Sequence, residues 1–257
     1  MIFISEKLNS SIPSVRKILA SGDLESIRQL VILQKDADFL DINTAMCEDE
    51  TAAGKAVIDI VIEESDCGIV IDSPSEAVVS ELLRYVGGRR ECIVNSITVN
   101  ERHGNIEAAK AHGASVVVML TDENGIPDTA EKRFENAKKT IELLESNGFT
   151  HDRIYVDAVI EAAAANTDGA SVTLDTIGML RNAYPELHIT FGLSNISFGL
   201  PKRSALNAAF IALAVYRGLD APICDITSES VRTAAFAAQM LAGRDDFCME
   251  YISEARQ

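Results

Sequence analysis

Eight times along the chain a short apolar run ends in a carboxylate, an amide or a hydroxyl, and a helix-patterned segment follows. The runs are MIFIS (1–5), ADFLDIN (37–43), CGIVIDS (67–73), ECIVNSI (91–97), SVVVMLT (115–121), RIYVDAVI (153–160), HITFGLSNIS (188–197) and APICDIT (221–227). They are continuously apolar rather than alternating, as expected of strands buried on both faces of a parallel sheet. Between them lie segments such as ETAAGKAVIDIVIEES, SEAVVSELLRYV, EKRFENAKKTIELLESNG and ALNAAFIALAVYRG, whose apolar residues recur at the three- and four-residue steps of a helix. Gly113, Gly148 and Gly218 stand where helix C-caps are expected, and Pro74 and Ser75 suit a helix start. Strict strand–helix alternation eight times over predicts a (β/α)8 TIM barrel. A doubly wound sheet would show a Gly-rich first turn, and neither GxGxxG nor GxxxxGK[ST] occurs.

At 257 residues and 47% hydrophobic, the chain matches one barrel-sized core, and no linker-like stretch divides it. One domain over 1–257 is therefore expected. No apolar stretch reaches the roughly 20 residues of a membrane helix, and the start lacks a basic region followed by a long apolar core, so a cytoplasmic protein without a signal peptide or membrane partner is predicted. A net charge of −16 argues against nucleic acid, which requires a basic footprint. The five cysteines are scattered, without CxxC, and the four histidines show no HExxH spacing. Reduced thiols and no bound metal in this chain are the expectation, although Cys47 and Cys224 lie near strand ends.

In a parallel barrel all the strand ends open on one face, where barrel enzymes keep their chemistry. The polar residues there are Glu6, Asn9, Asp41, Asn43, Asp72, Ser73, Asn95, Ser96, Thr121, Asp122, Asp157, Ser194, Asn195, Asp225 and Thr227. The set is rich in carboxylates and amides and poor in Lys and His. Such groups suit a neutral heterocycle: a carboxylate takes two parallel N–H bonds from an amino-pyrimidine edge, and amides read carbonyls and ring nitrogens. Asp and Asn are poor strand residues, so Asn95, Asp157 and Asn195, each interrupting an apolar run, require a local network or a ligand. Asp41 and Asn43 fit helix capping or loop bracing equally well, Asp225 with Ser228 fits a helix start, and Glu6 with Lys7 fits a surface pair. Arg203 suits either a substrate carboxylate or an ordinary helix surface.

With these residues in hand, the chain resembles the pterin-binding barrels, specifically the methyltetrahydrofolate–corrinoid protein methyltransferases. The likeness runs through SEKLN, DIN, VIDS, VNS, the GIP of Gly125 to Pro127, YVDAVI and GLSNIS with FGLPKR after it. The same pattern lies within cobalamin-dependent methionine synthase, whose further domains this chain is too short to hold. Dihydropteroate synthase shares the barrel, but its N-terminal strand signature is missing and its pterin-site lysine has no counterpart in HITFGLSNIS. The resemblance implies a dihydropteroate synthase-like fold and methyl transfer between N5 of methyltetrahydrofolate and the cobalt of a corrinoid carried by a partner protein. It implies that Asp72, Asn95 and Asp157 hold the pterin ring and that Asn195, the catalytic residue, contacts N5, with Gly192 and Ser194 forming the wall beside it. Glu6, Asp41, Asn43, Ser96, Asp225 and Arg203 are secondary candidates. A corrinoid protein docking on the strand-end face and a homodimer are also implied. The competing expectations are a pterin-condensing synthase on the same barrel and a non-catalytic folate-binding subunit.

Overall fold

A computed structural model describes residues 1–256 and shows eight parallel strands closed into a barrel in chain order. The first half runs β1 (Ile4–Asn9), α1 (Pro13–Ser21), α2 (Leu24–Ile32), β2 (Phe39–Asn43), α3 (Glu50–Glu64), β3 (Gly68–Asp72), α4 (Glu76–Val86), β4 (Cys92–Ile97) and α5 (Gly104–His112). The second runs β5 (Ser115–Met119), α6 (Ala130–Ser146), β6 (Ile154–Asp157), α7 (Gly169–Ala183), β7 (His188–Gly192), α8 (Arg203–Arg217), β8 (Ala221–Cys224), α9 (Glu229–Leu241) and α10 (Met249–Glu254). Helices α3, α4 and α6 start where short polar side chains satisfy free N–H groups: Asp49 accepts from the Ala52 amide, Ser75 from Val78 and Thr129 from Lys132. Gly113 and Gly218 are C-caps as expected, whereas Gly148 lies one residue beyond the cap, Asn147.

The alternation is not strict. Two helices separate β1 from β2, because Gly22 ends α1 in the left-handed conformation (φ 65°) and Asp23 at once caps α2 through the Ser26 amide. Several strands also stop short of their apolar runs, three of them by three residues or more. β6 ends at Asp157, β7 at Gly192 and β8 at Cys224, so Asn195 sits in a following 3-10 turn (Leu193–Asn195) rather than on a strand. β1 is shifted along the chain: a register break between Ser5 and Leu8 carries it on to Asn9, which pairs with Asn43.

Alternation of side chains along each strand sorts the barrel interior into layers. Ile4, Phe39, Val70, Ile93, Val117, Tyr155, Ala221 and Ile223 form one inner apolar cluster, separate from the larger core between strands and helices. Two residues further along several strands stand Glu6, Asp41, Asp72, Asn95, Asp157 and Asp225. The interior is therefore an apolar floor with a polar layer above it at the C-terminal ends.

Candidate active site

Asp72 and Asn95 are register partners across β3 and β4, and Asp157 pairs with Met119 at the end of β6. Each stands two residues beyond a member of the apolar floor, so all three side chains point toward the barrel axis. Their hydrogen-bonding capacity is only partly used. Asn43 Nδ2 donates to Asp72 Oδ2 at 2.8 Å. The Val159 amide donates to Asp157 Oδ1 at 2.8 Å. Asp72 Oδ1, Asp157 Oδ2 and the whole Asn95 side-chain amide have no partner among the described residues. These are two carboxylate oxygens and one amide aimed into a shared mouth.

The mouth penalises negative charge. Burial pushes the Asp157 carboxyl up to about 6, with Asp72 adding in the same direction and Arg133 opposing. Burial likewise raises Asp72, against the Asn43 hydrogen bond and the charge of Arg102. Asp41, only 3% exposed, lies deeper, and burial, Asp72 and Glu6 together hold it well above the usual carboxylate range. Its Oδ1 has no hydrogen-bond partner among the described residues. Donor N–H groups brought into this mouth would relieve both the repulsion and the lost hydration.

A second set gathers after β7. Asn195 is exposed, its side-chain amide has no partner among the described residues, and Nδ2 lies 3.2 Å from where a Cβ on Gly192 would stand. Glycine at 192 thus leaves room for that amide. Ser194 Oγ donates to Glu6 Oε1 at 2.5 Å, tying β1 to this turn, while burial raises the Glu6 carboxyl. Arg203 is turned back on the same turn, donating through Nη2 to the Ser194 carbonyl at 2.8 Å and through Nε to Ser197 Oγ at 3.0 Å.

Asp225 lines the same cavity as Glu6, Ser194 and Arg203. Asp225 pairs with Lys7 Nζ at 2.9 Å and accepts from the Thr227 amide and hydroxyl at 3.0 and 2.6 Å, which braces the β8–α9 turn. Ser96 is 1% exposed, its Oγ lacks a partner among the described residues, and its carbonyl accepts from Asn105 Nδ2 at 3.1 Å. Cys47 and Cys224 are free thiols that burial pushes upward, and Cys224 is fully buried in the core between strands and helices. Among the described residues no group of three or more His, Cys, Asp or Glu is placed to hold a metal ion, and no helix is long and apolar enough to cross a membrane.

Arg133 escaped the sequence reading. It is fully buried and donates to the backbone just after Asp157. The signal was available: Arg133 falls on the same face of α6 as the buried Ala130, Ala137, Ile141 and Leu144, where an arginine needs a partner.

Residues 22–225 match the family described as pterin binding enzyme. The whole chain aligns over 264 positions, at 33% identity, with the methylcorrinoid:tetrahydrofolate methyltransferase of Eubacterium limosum, covering 97% of that protein. Methionine synthase of Mycobacterium leprae is 33% identical over 184 residues, which are 66% of this chain but 15% of that one. Dihydropteroate synthase from Xanthomonas albilineans, solved in complex with 7,8-dihydropteroate, superposes with a TM-score of 0.74 over 93% of both chains at 18% identity, a likeness of fold. The chain belongs to the pterin-binding enzyme family.

Proposed function

We propose that this protein is a methyltransferase that moves a methyl group between N5 of methyltetrahydrofolate and the cobalt of a corrinoid carried by a separate protein. The full-length relative from Eubacterium limosum supports the reaction class. The observation that carries the site is the pairing of spare acceptors on Asp72 and Asp157 with the spare amide of Asn95 in one desolvated mouth. Asp157 and Asp72 accept from the amino-pyrimidine edge of the pterin, and Asn95 reads its carbonyl and ring nitrogens. Asn195 reaches N5 from the turn beside Gly192.

N5 of methyltetrahydrofolate is a tertiary amine and leaves poorly as an anion. Protonated, it departs as a neutral amine while the cobalt(I) electron pair takes the methyl in line, giving methyl-cobalt(III) and tetrahydrofolate. An amide at N5 whose hydrogen bond strengthens as the proton arrives stabilises the transition state more than the ground state. In the reverse direction N5 attacks the methyl of methyl-cobalt(III) and then sheds its proton. The corrinoid protein docks over the strand-end face. The homodimer fits the outer face of α8, where Leu206, Leu213 and Tyr216 are exposed. The folded unit is one domain working in the cytoplasm.

The test is methyltetrahydrofolate plus cob(I)alamin, followed by the cobalt spectrum. Growth of the methyl-cobalt band at a rate dependent on the protein supports the reading. Folate binding without that band would make the protein a carrier, and product from a pterin diphosphate with aminobenzoate would make it a condensing synthase.

A further inference from the structure

Among the described residues Arg133 is the largest fully buried side chain. Burying a guanidinium costs several kcal/mol unless its donors are met, and here they are. Nε donates to the Pro127 carbonyl at 2.9 Å, and Nη1 to Ala158 O at 3.0 Å, Val159 O at 2.7 Å and Thr173 Oγ1 at 3.2 Å. Nη2 donates to Glu161 Oε2 at 2.8 Å. Three of these five acceptors lie in 158–161, immediately after Asp157. Val159 has φ +55°, a conformation uncommon for a β-branched residue. Its carbonyl is held by Arg133 and Thr173 while its amide donates to Asp157 Oδ1. Two residues beyond Glu161, the Ala163 amide donates to the Ile196 carbonyl at 3.1 Å, next to Asn195.

We propose that the Arg133–Glu161 pair is a positioning device that clamps residues 158–163 and thereby sets Asp157 and Asn195 at a fixed separation. The roles of those two residues rest on the methyl-transfer reading; the clamp itself rests on the contacts above. A rigid bicyclic ligand gripped at one edge by Asp157 and addressed at N5 by Asn195 needs that spacing held. An error of about 1 Å costs roughly 100-fold in rate.

The charges give the clamp a second signature. Asp157 is faced by Arg133 from α6 and by Asp72 from β3. Arg133 in turn is faced by Glu161, Asp157 and Asp128. Arg133→Met leaves Asp72 unopposed, so Asp157 holds its proton to higher pH. Glu161→Gln keeps an acceptor for Nη2 but removes the charge that neutralises Arg133, so Asp157 ionises at lower pH. Arg133→Lys keeps the charge and loses the fork.

The experiment is a carbon-13 carboxyl titration of Asp157, assigned by its loss in Asp157→Asn, in the parent and the three variants. Tetrahydrofolate affinity and cob(I)alamin methylation are measured alongside. Expected are opposite shifts of the Asp157 midpoint in Arg133→Met and Glu161→Gln and little shift in Arg133→Lys. In Arg133→Lys the turnover falls roughly 100-fold while KM changes far less. If Arg133→Met does not fold, the other two variants decide. Parent-like turnover in Arg133→Lys, or an Asp157 midpoint in Glu161→Gln that rises or stays put, overturns the clamp. A parent that never methylates cobalt overturns the methyl-transfer reading instead, and the titration then judges the clamp alone.

Discussion

Asn43 reaches from the end of β2 to place Nδ2 2.8 Å from Asp72 Oδ2 on the neighbouring strand, and its own Oδ1 accepts from Ser10 Oγ at 3.1 Å and the Ala45 amide at 3.2 Å. The carboxylate at the end of β3 is thus oriented from outside its own strand, with its other oxygen unpaired among the described residues. Asn43→Ala removes that hold and raises the Asp72 pKa further, since this hydrogen bond, with the charge of Arg102, opposes burial. Tetrahydrofolate affinity, measured by calorimetry, is expected to fall about tenfold, the worth of one hydrogen bond to a charged group. An unchanged affinity would remove Asp72 from the pterin site.

Asn195→Ala separates catalysis from binding. The loss expected is about 100-fold or more in methyl transfer, comparable to deleting one transition-state hydrogen bond, with tetrahydrofolate affinity nearly retained. Parallel losses in both would make Asn195 a plain binding residue.

Asp157→Asn has a stability signature whose sign is set by burial. The folded-state pKa, about 6, lies above the ordinary 3.8, so the folded chain holds that proton more tightly than the unfolded chain. The stabilisation is fully present below the lower value and is lost as pH rises through the upper one. The parent is expected to lose up to about 3 kcal/mol to this group across that window, and the variant lacks this loss. Urea midpoints at acid and neutral pH check it: the variant gains on the parent as pH rises. Asp72, Asp41 and Glu6 are raised in the same direction, so the parent–variant difference is the quantity to read. The same variant binds tetrahydrofolate more weakly, because an amide cannot offer two acceptor oxygens.

Gly68→Ala tests the floor. A Cβ there would stand 2.3 Å from Phe39 Cδ1 and Cε1, and overpacking of this kind typically costs about 1–3 kcal/mol. A lower melting temperature is expected, and Phe39→Leu in the same chain should restore part of it.

The barrel was legible because period and polarity agree along each strand: Val70 then Asp72, Ile93 then Asn95, Tyr155 then Asp157. What the chain order hides is choice of partner. Arg203 and Asp225 have the right chemistry at the right end of the barrel. Arg203 nevertheless finds Ser194 and Ser197 in the turn before it, and Asp225 finds Lys7 on the neighbouring strand β1. Asn195 reads as a strand ending because LSNIS continues the apolar run, but the backbone turns once past Gly192. The second helix before β2 was hidden in a short Gly22–Asp23 step that carries both a stop and a start. Arg133 was visible only to a reading that asks which face of α6 is buried.

The apolar floor makes the polar chamber a cup with a single opening. On the methyl-transfer reading, folate and methyl acceptor would share that doorway, and neither would be loaded or discharged from behind. Arrival order would then matter: a pterin held within the cup would have to be in place before anything large settled over the rim. A corrinoid protein seated there would act as a stopper as well as a substrate, detaining the folate until it lifts away.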